Sequence, residues 1–252
     1  MNSSEWVALL LGCWCGLFVS GLFVSEMLLL QFSTSHYCRK ARLALRYKGI
    51  SFEVENLTPG LHALRVKPLT GTTTLPVLLP QLEGKPHAIG DSTHILQFLE
   101  SIHPDPPLLP ADQTAAREVW FLEDWLDESI GTATRFVYYA YRAGEGKQID
   151  PSLSSQLVIQ VVRSQYGMNA ARVQLAADRL SQALEILGDR WQSKAYLVGN
   201  CLTAADIAAA ALLSPLALIP HYRHTYSWLF DRIAEIHHYC GEPLPPGLTV
   251  NP

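Results

Sequence analysis

The sequence predicts an α/β domain followed by an all-helical domain, and three features of the 252-residue chain predict it. First, residues 28–55 read as strand, helix and strand, a β-α-β unit that implies parallel strands and a right-handed crossover. Second, residues 104–110 hold Pro104, Pro106, Pro107 and Pro110, a stiff connector that marks a boundary. Third, everything between that connector and about residue 240 is patterned as helix.

The elements follow in order. Residues 28–32 are a short apolar run of buried-strand type. Ser33, Thr34 and Ser35 then offer capping hydroxyls to a helix over 37–48. In that helix Ala41, Leu43, Ala44, Leu45 and Tyr47 alternate with Arg39, Lys40, Arg42 and Arg46, and Gly49 suits the position that ends it. Residues 50–55 alternate with period two, as a half-buried strand does. An irregular stretch with Pro59, Gly60 and Pro68 comes next. Residues 74–79 read as a strand interrupted by Pro76, which cannot donate to a ladder and so needs an explanation. Gly84 and Lys85 form a turn, residues 87–89 a short strand, and Asp91 and Ser92 cap a helix that runs through 94–100.

Past the connector, residues 112–142 read as one long helix, broken by Gly144, Gly146 and Pro151. Helices over 153–163 and 170–191 follow. Thr203 with Asp206 three residues on is a capping box with Asp in place of Glu. The helix it opens, 204–213, is nearly all apolar and belongs at the centre of its domain. A last helix covers 227–238, and residues 241–247 read as an extended tail.

The chain carries 19 Lys and Arg against 23 Asp and Glu, a formal net charge of −4. Nothing in that balance supplies the basic face that nucleic-acid binding requires. Five scattered cysteines without a CxxC pair point to neither a disulfide framework nor a zinc finger, and fit a reducing compartment. Residues 6–25 are apolar except for small hydroxyl residues. They read as a consequence of start-site choice with Met27 as the true first residue, as a membrane anchor, or as a signal peptide without its usual positive charge.

Four local patterns resemble the glutathione S-transferase superfamily. They are Ser35-His36-Tyr37-Cys38-Arg39-Lys40-Ala41-Arg42-Leu43, Thr74-Leu75-Pro76-Val77-Leu78, Gly90-Asp91-Ser92-Thr93-His94-Ile95-Leu96, and Tyr196-Leu197-Val198-Gly199-Asn200-Cys201-Leu202-Thr203-Ala204-Ala205-Asp206-Ile207. The resemblance spans residues 27 to about 240. It implies a thioredoxin-like domain over 27–103, ordered β-α-β-α-β-β-α around a mixed four-stranded sheet. It further implies a connector over 104–111, an all-α bundle over 112–240 and an extended tail over 241–252, with 1–26 as an apolar extension. It also implies glutathione as co-substrate, no metal, a small electrophile as second substrate, a homodimer, a detoxifying role and a cytoplasmic location, or a membrane-anchored one if residues 6–25 are retained. A non-catalytic binding or scaffold protein of the same fold, and a glutathione-dependent isomerase or lyase, are the alternatives.

The resemblance assigns roles residue by residue. Ser35, first in a Ser-x-x-Cys turn, would donate its hydroxyl to the glutathione thiolate at a helix N-terminus, or would only cap the helix; Ser33 and Thr34 are substitutes. Cys38 is a second candidate nucleophile, or an inward-facing inert thiol. Pro76 is expected to be cis, so that the backbone of Leu75 can pair with the cysteinyl part of glutathione. Asp91 and Ser92 would take the ammonium and carboxylate of the γ-glutamyl end. Where relatives often have a Lys for the glycyl carboxylate, this chain has Thr72, Thr73 and Thr74, with Lys67 or Arg39 as candidate replacements. His36 reads as an exposed turn residue. Thr203 and Asp206 read as structural. Trp120, Trp125, Tyr138, Tyr139 and Tyr141 are candidates to line an acceptor pocket or to fill the core.

Overall fold

The computed structural model describes residues 27–248. The apolar segment 6–25 and its three readings lie outside the described residues. A four-stranded sheet comes first, built from β1 (Met27–Gln31), β2 (Phe52–Asn56), β3 (Val77–Leu79) and β4 (Ile89–Gly90) in the order β2-β1-β3-β4. β1 runs parallel to β2 and antiparallel to β3, and β3 is antiparallel to β4, so the sheet is mixed. The helices between the strands are α1 (His36–Tyr47) and α2 (His62–Thr70), and α3 (Ser92–Ile102) follows β4. The helical domain holds α4 (Gln113–Asp124), α5 (Gly131–Ala143), α6 (Leu153–Gln165), α7 (Ala170–Trp191), α8 (Ala204–Leu213), α9 (Pro220–Thr225) and α10 (Ser227–Cys240).

The strands sit where their burial allows. Leu29 and Leu30 of central β1 are fully buried, as a strand covered on both faces requires. β2 is an edge strand, and it does not show the half-buried alternation expected of it, since Val54 is exposed. It also begins at Phe52 rather than 50. The Ile50 N–H bonds to the Leu45 carbonyl at 3.0 Å, and Gly49 at φ 65° turns the chain there, so Ile50 still belongs to the end of α1. α2 occupies the stretch that read as irregular. Only Val66 is buried in it and Pro68 lies inside it, so neither periodicity nor composition announces a helix.

The single long helix expected over 112–142 is continuous, but a π-helical turn, Trp125–Ile130, separates α4 from α5. α8 is buried along its whole length. Its capping box is formed, and Asp206 also accepts the indole N–H of Trp191 at 3.0 Å and the Leu197 N–H at 2.8 Å.

α1 joins the two domains, packed against α3 of the first and α8 and α10 of the second. Three bonds from the Lys48 ammonium, to Glu100 and to the carbonyls of His103 and Pro106, fasten its end to the connector. Leu108 of the connector is buried, and its carbonyl accepts the Ala204 N–H. From the far end of the chain, Glu242 takes the Nε of both Arg42 and Arg46 at 2.6 Å. Among the described residues, no helix is long and apolar enough to cross a membrane.

Candidate functional site

Sheet register gathers the expected site residues. Leu30 of β1 pairs with Val77 of β3, and Val77 pairs with Gly90 of β4, forming one row across the sheet. The loop after β1, the loop before β3 and the start of α3 all leave the sheet at that row. Ser35, the Leu75–Pro76 peptide, Asp91 and Ser92 therefore share one end of it.

Ser35 is the N-cap of α1, in extended backbone, and its hydroxyl oxygen accepts the Cys38 N–H at 3.3 Å. Ser33 and Thr34 are exposed, and neither caps the helix. Accepting that bond does not itself use the Ser35 proton, so capping and donation are compatible. Cys38 is completely buried. Burial pushes its thiol pKa up, so its geometry fits the inward-facing inert thiol.

The Leu75–Pro76 bond is cis, as the family resemblance implied. Asp91 adopts φ 74°, a value that non-glycine residues seldom hold and Asp tolerates better than most. Its Oδ1 accepts both the Thr93 N–H at 2.8 Å and the His94 N–H at 3.2 Å, capping α3. Oδ2 is used by neither bond, and the Ser92 N–H at the first helical position has no intrahelical acceptor by construction. The Ser92 hydroxyl points inward and donates to Asp127 Oδ1 at 3.3 Å.

Behind Ser92 lies a polar cluster that sequence reasoning missed. The Lys40 ammonium pairs with Glu123 and Asp127 and bonds Thr93 Oγ1, while Thr93 donates to Glu123 at 2.9 Å. Lys40 and Glu123 are fully buried. Burial pushes the Glu123 carboxyl up against the pull of Lys40, and its Oε2 has no hydrogen-bond partner. A lysine in a helix row of Arg and Lys carries no sequence signal that separates it from its exposed neighbours.

His36 is a correction. It is buried, not an exposed turn residue, and its Nε2 donates to the Gly131 carbonyl at 3.2 Å. Burial, and then the charge of Arg135, hold it well below the usual histidine range, so it is neutral near pH 7. The next residue, Tyr37, donates to the Asp127 carbonyl at 2.8 Å. Both carbonyls lie at the π-helical turn, which presents them to the first turn of α1. Burial raises the Tyr37 hydroxyl to about 12.

The replacements for a glycyl-end lysine are not grouped with this row. Arg39 is buried and donates to Ser214 of the helical domain. Lys67 is exposed on α2. Thr72 and Thr74 hold each other hydroxyl to hydroxyl at 3.2 Å, exposed beside the row. Trp120, Trp125, Tyr138, Tyr139 and Tyr141 are all partly buried, and Tyr138 accepts a bond from Arg142. Two surface concavities, about 380 and 490 Å³, are lined around Arg46 and Cys240 and around Tyr141 and Arg223; neither includes a residue of the row. Among the described residues, no group of His, Cys, Asp and Glu is arranged to hold a metal.

Two family models match the chain, one described as the N-terminal domain of glutathione S-transferase over residues 29–107 and one as its C-terminal domain over 170–240. The chain belongs to the glutathione S-transferase superfamily. It is 28% identical over 160 residues to a probable glutathione S-transferase, MSR-1, of Nicotiana plumbaginifolia, covering 62% of this chain and 68% of that one. Over 86 residues it is 30% identical to a stringent starvation protein A homolog of Pasteurella multocida, covering 34% and 39%. A solved glutathione S-transferase of Methylobacterium radiotolerans, in complex with glutathione sulfonate, has the same fold with a TM-score of 0.67 at 24% identity, over 90% of this chain and 98% of that one.

Proposed function

We propose that this chain binds glutathione along the Leu30–Val77–Gly90 row and activates its thiol for transfer to a small electrophile. One observation carries the reading: Ser35, Leu75–Pro76 and Asp91–Ser92 leave the sheet at one row, with Ser35 at the N-terminus of α1. The solved relative with glutathione sulfonate supports the ligand. The γ-glutamyl ammonium pairs with Asp91 Oδ2, its carboxylate takes the Ser92 N–H at the start of α3, and the cysteinyl backbone pairs with Leu75. The Ser35 hydroxyl donates to the sulfur, and the α1 dipole favours the anion, so the thiol loses its proton to water near neutral pH. The thiolate then attacks an electrophile held against the helical domain, where proximity supplies much of the acceleration. Cys38 takes no part.

The same reading makes the division near residues 104–111 a division of labour, with a homodimer in a reducing, cytoplasmic setting and a detoxifying role. A binding protein that does not turn over is the second reading, favoured by the similarity to a stringent starvation protein A homolog, which does not carry the transferase name. Isothermal titration of the full chain with glutathione, joined to thiolate absorbance against pH, tests the proposal. The parent should bind, and Ser35→Ala should still bind with a raised thiol pKa. A folded parent that ignores millimolar glutathione would sink the transferase reading.

A further inference from the structure

Arg135 is held in a way the other arginines are not. Its guanidinium carbon lies 5.0 Å from the centroid of the Tyr37 ring and 4.7 Å from that of Tyr166. Tyr37 stands two residues past Ser35 in the first turn of α1, and Tyr166 ends α6, so the two rings clasp the cation at the junction of the domains. Among the described residues, no carboxylate, carbonyl or hydroxyl hydrogen-bonds to Arg135. By contrast Arg142, two turns along the same helix, bonds Tyr138 and Ser155, and Arg42 and Arg46 share Glu242. Arg135 is partly buried, and its charge reaches the site: it is the largest charge effect on His36 and on Tyr37. Ring contacts use none of a guanidinium's N–H donors, and its fork of donors matches a carboxylate bidentately. A partly desolvated cation without a counter-anion is costly, and a ligand can supply the missing charge.

We infer that Arg135 determines specificity for the second substrate, and that the preferred electrophiles carry a carboxylate. The inference rests on the glutathione-transferase reading above and deepens it. Tyr37 and Tyr166 are positioning residues, holding the fork at the face of α5 that passes the N-terminus of α1.

The test compares ethacrynate with its methyl ester in the full chain. In both, the glutathione thiolate adds to the terminal methylene of the unsaturated ketone. A C–S bond forms, the π pair moves to the enolate, and the α-carbon takes a proton from water. After subtraction of the uncatalysed rate, kcat/KM for the acid should exceed that for the ester about tenfold or more, the strength of one charged hydrogen-bonded pair. Arg135→Gln should collapse that ratio towards one, mainly through KM for the acid, and Arg135→Lys should restore part of it. An unchanged ratio in Arg135→Gln, or a proportional fall for both substrates, overturns the inference, the latter because it marks a purely structural role. If the parent turns over neither substrate, the preformed glutathione adducts of acid and ester are titrated instead. A tenfold tighter acid adduct that loses its advantage in Arg135→Gln supports the inference, and equal binding overturns it. Titration with glutathione alone reports on the Ser35 row, so failure there is separable from failure at Arg135.

Discussion

The Lys40 ammonium meets the Asp127 carboxylate in an ion pair closed to solvent, and Glu123 approaches the same ammonium from the preceding turn. One cation thus holds two acids across the contact between α1 and the helical domain. Lys40→Met would strand both carboxylates in the interior and should cost about 3–5 kcal/mol, read by urea denaturation. Glu123→Gln should cost far less. The raised Glu123 carboxyl means that the folded protein holds that proton more tightly than the unfolded chain, so it withdraws stability as pH rises above the ordinary carboxylate value. A loss from Glu123→Gln equal to that from Lys40→Met would refute this account.

Gly131 leaves the room that Tyr37 occupies. A Cβ there would sit 2.9 Å from the Tyr37 hydroxyl oxygen and 3.2 Å from the Leu126 carbonyl. Gly131→Ala should therefore cost about 1–3 kcal/mol. In a Tyr37→Phe background the penalty should shrink, because the clashing oxygen is gone. A double-mutant cycle checks this, and strict additivity would show that the two residues do not compete for space.

Asp91 combines a cap with the charge proposed to meet glutathione, and Asn separates the two. Asn tolerates positive φ and caps as well as Asp. Asp91→Asn should leave stability within about 0.5 kcal/mol yet weaken glutathione by an order of magnitude or more, since it removes the anion that pairs with the ammonium. Titration calorimetry beside a thermal melt reads both. Full affinity in Asp91→Asn would confine the residue to capping.

His237 is fully buried, its Nδ1 bonded to the Pro243 carbonyl at 2.8 Å, and burial lowers it to about 4. Its folded value lies below the unfolded one near 6.5, so the unfolded chain binds the proton first. Stability is present in full above pH 6.5 and drains away as pH falls towards 4, by about 3 kcal/mol from this group. His36, also lowered, adds to the slope in the same direction. Denaturation midpoints between pH 7 and 4.5 should fall less steeply for His237→Gln than for the parent. Parallel slopes would contradict this.

Local chemistry made much of this molecule legible. The helices over 170–191 and 204–213, the Thr203–Asp206 box and the Asp91 cap each follow from residues next to one another in sequence, while the cis bond at Pro76 is implied by the family resemblance. What stayed hidden depends on residues far apart. Lys40 and Arg39 look like the solvated side of α1 until Glu123 and Asp127 meet the one and Ser214, just past α8, meets the other. His36 is buried only because the π-helical turn brings the Gly131 carbonyl to it. Arg135 reads as one basic residue among many until α1 and the end of α6 place rings against it. α2 is faint because it buries a single side chain.

The hold of Glu242 on Arg42 and Arg46 has a bearing on biosynthesis. Some two hundred residues separate the acid from the helix it grips, so α1 stays without that partner until those residues have been made. The sheet-bearing domain can collapse early, yet the Arg42 and Arg46 side of α1 is completed only when Glu242 arrives. A tag or fusion placed directly after residue 242 would therefore disturb a helix some two hundred residues before it.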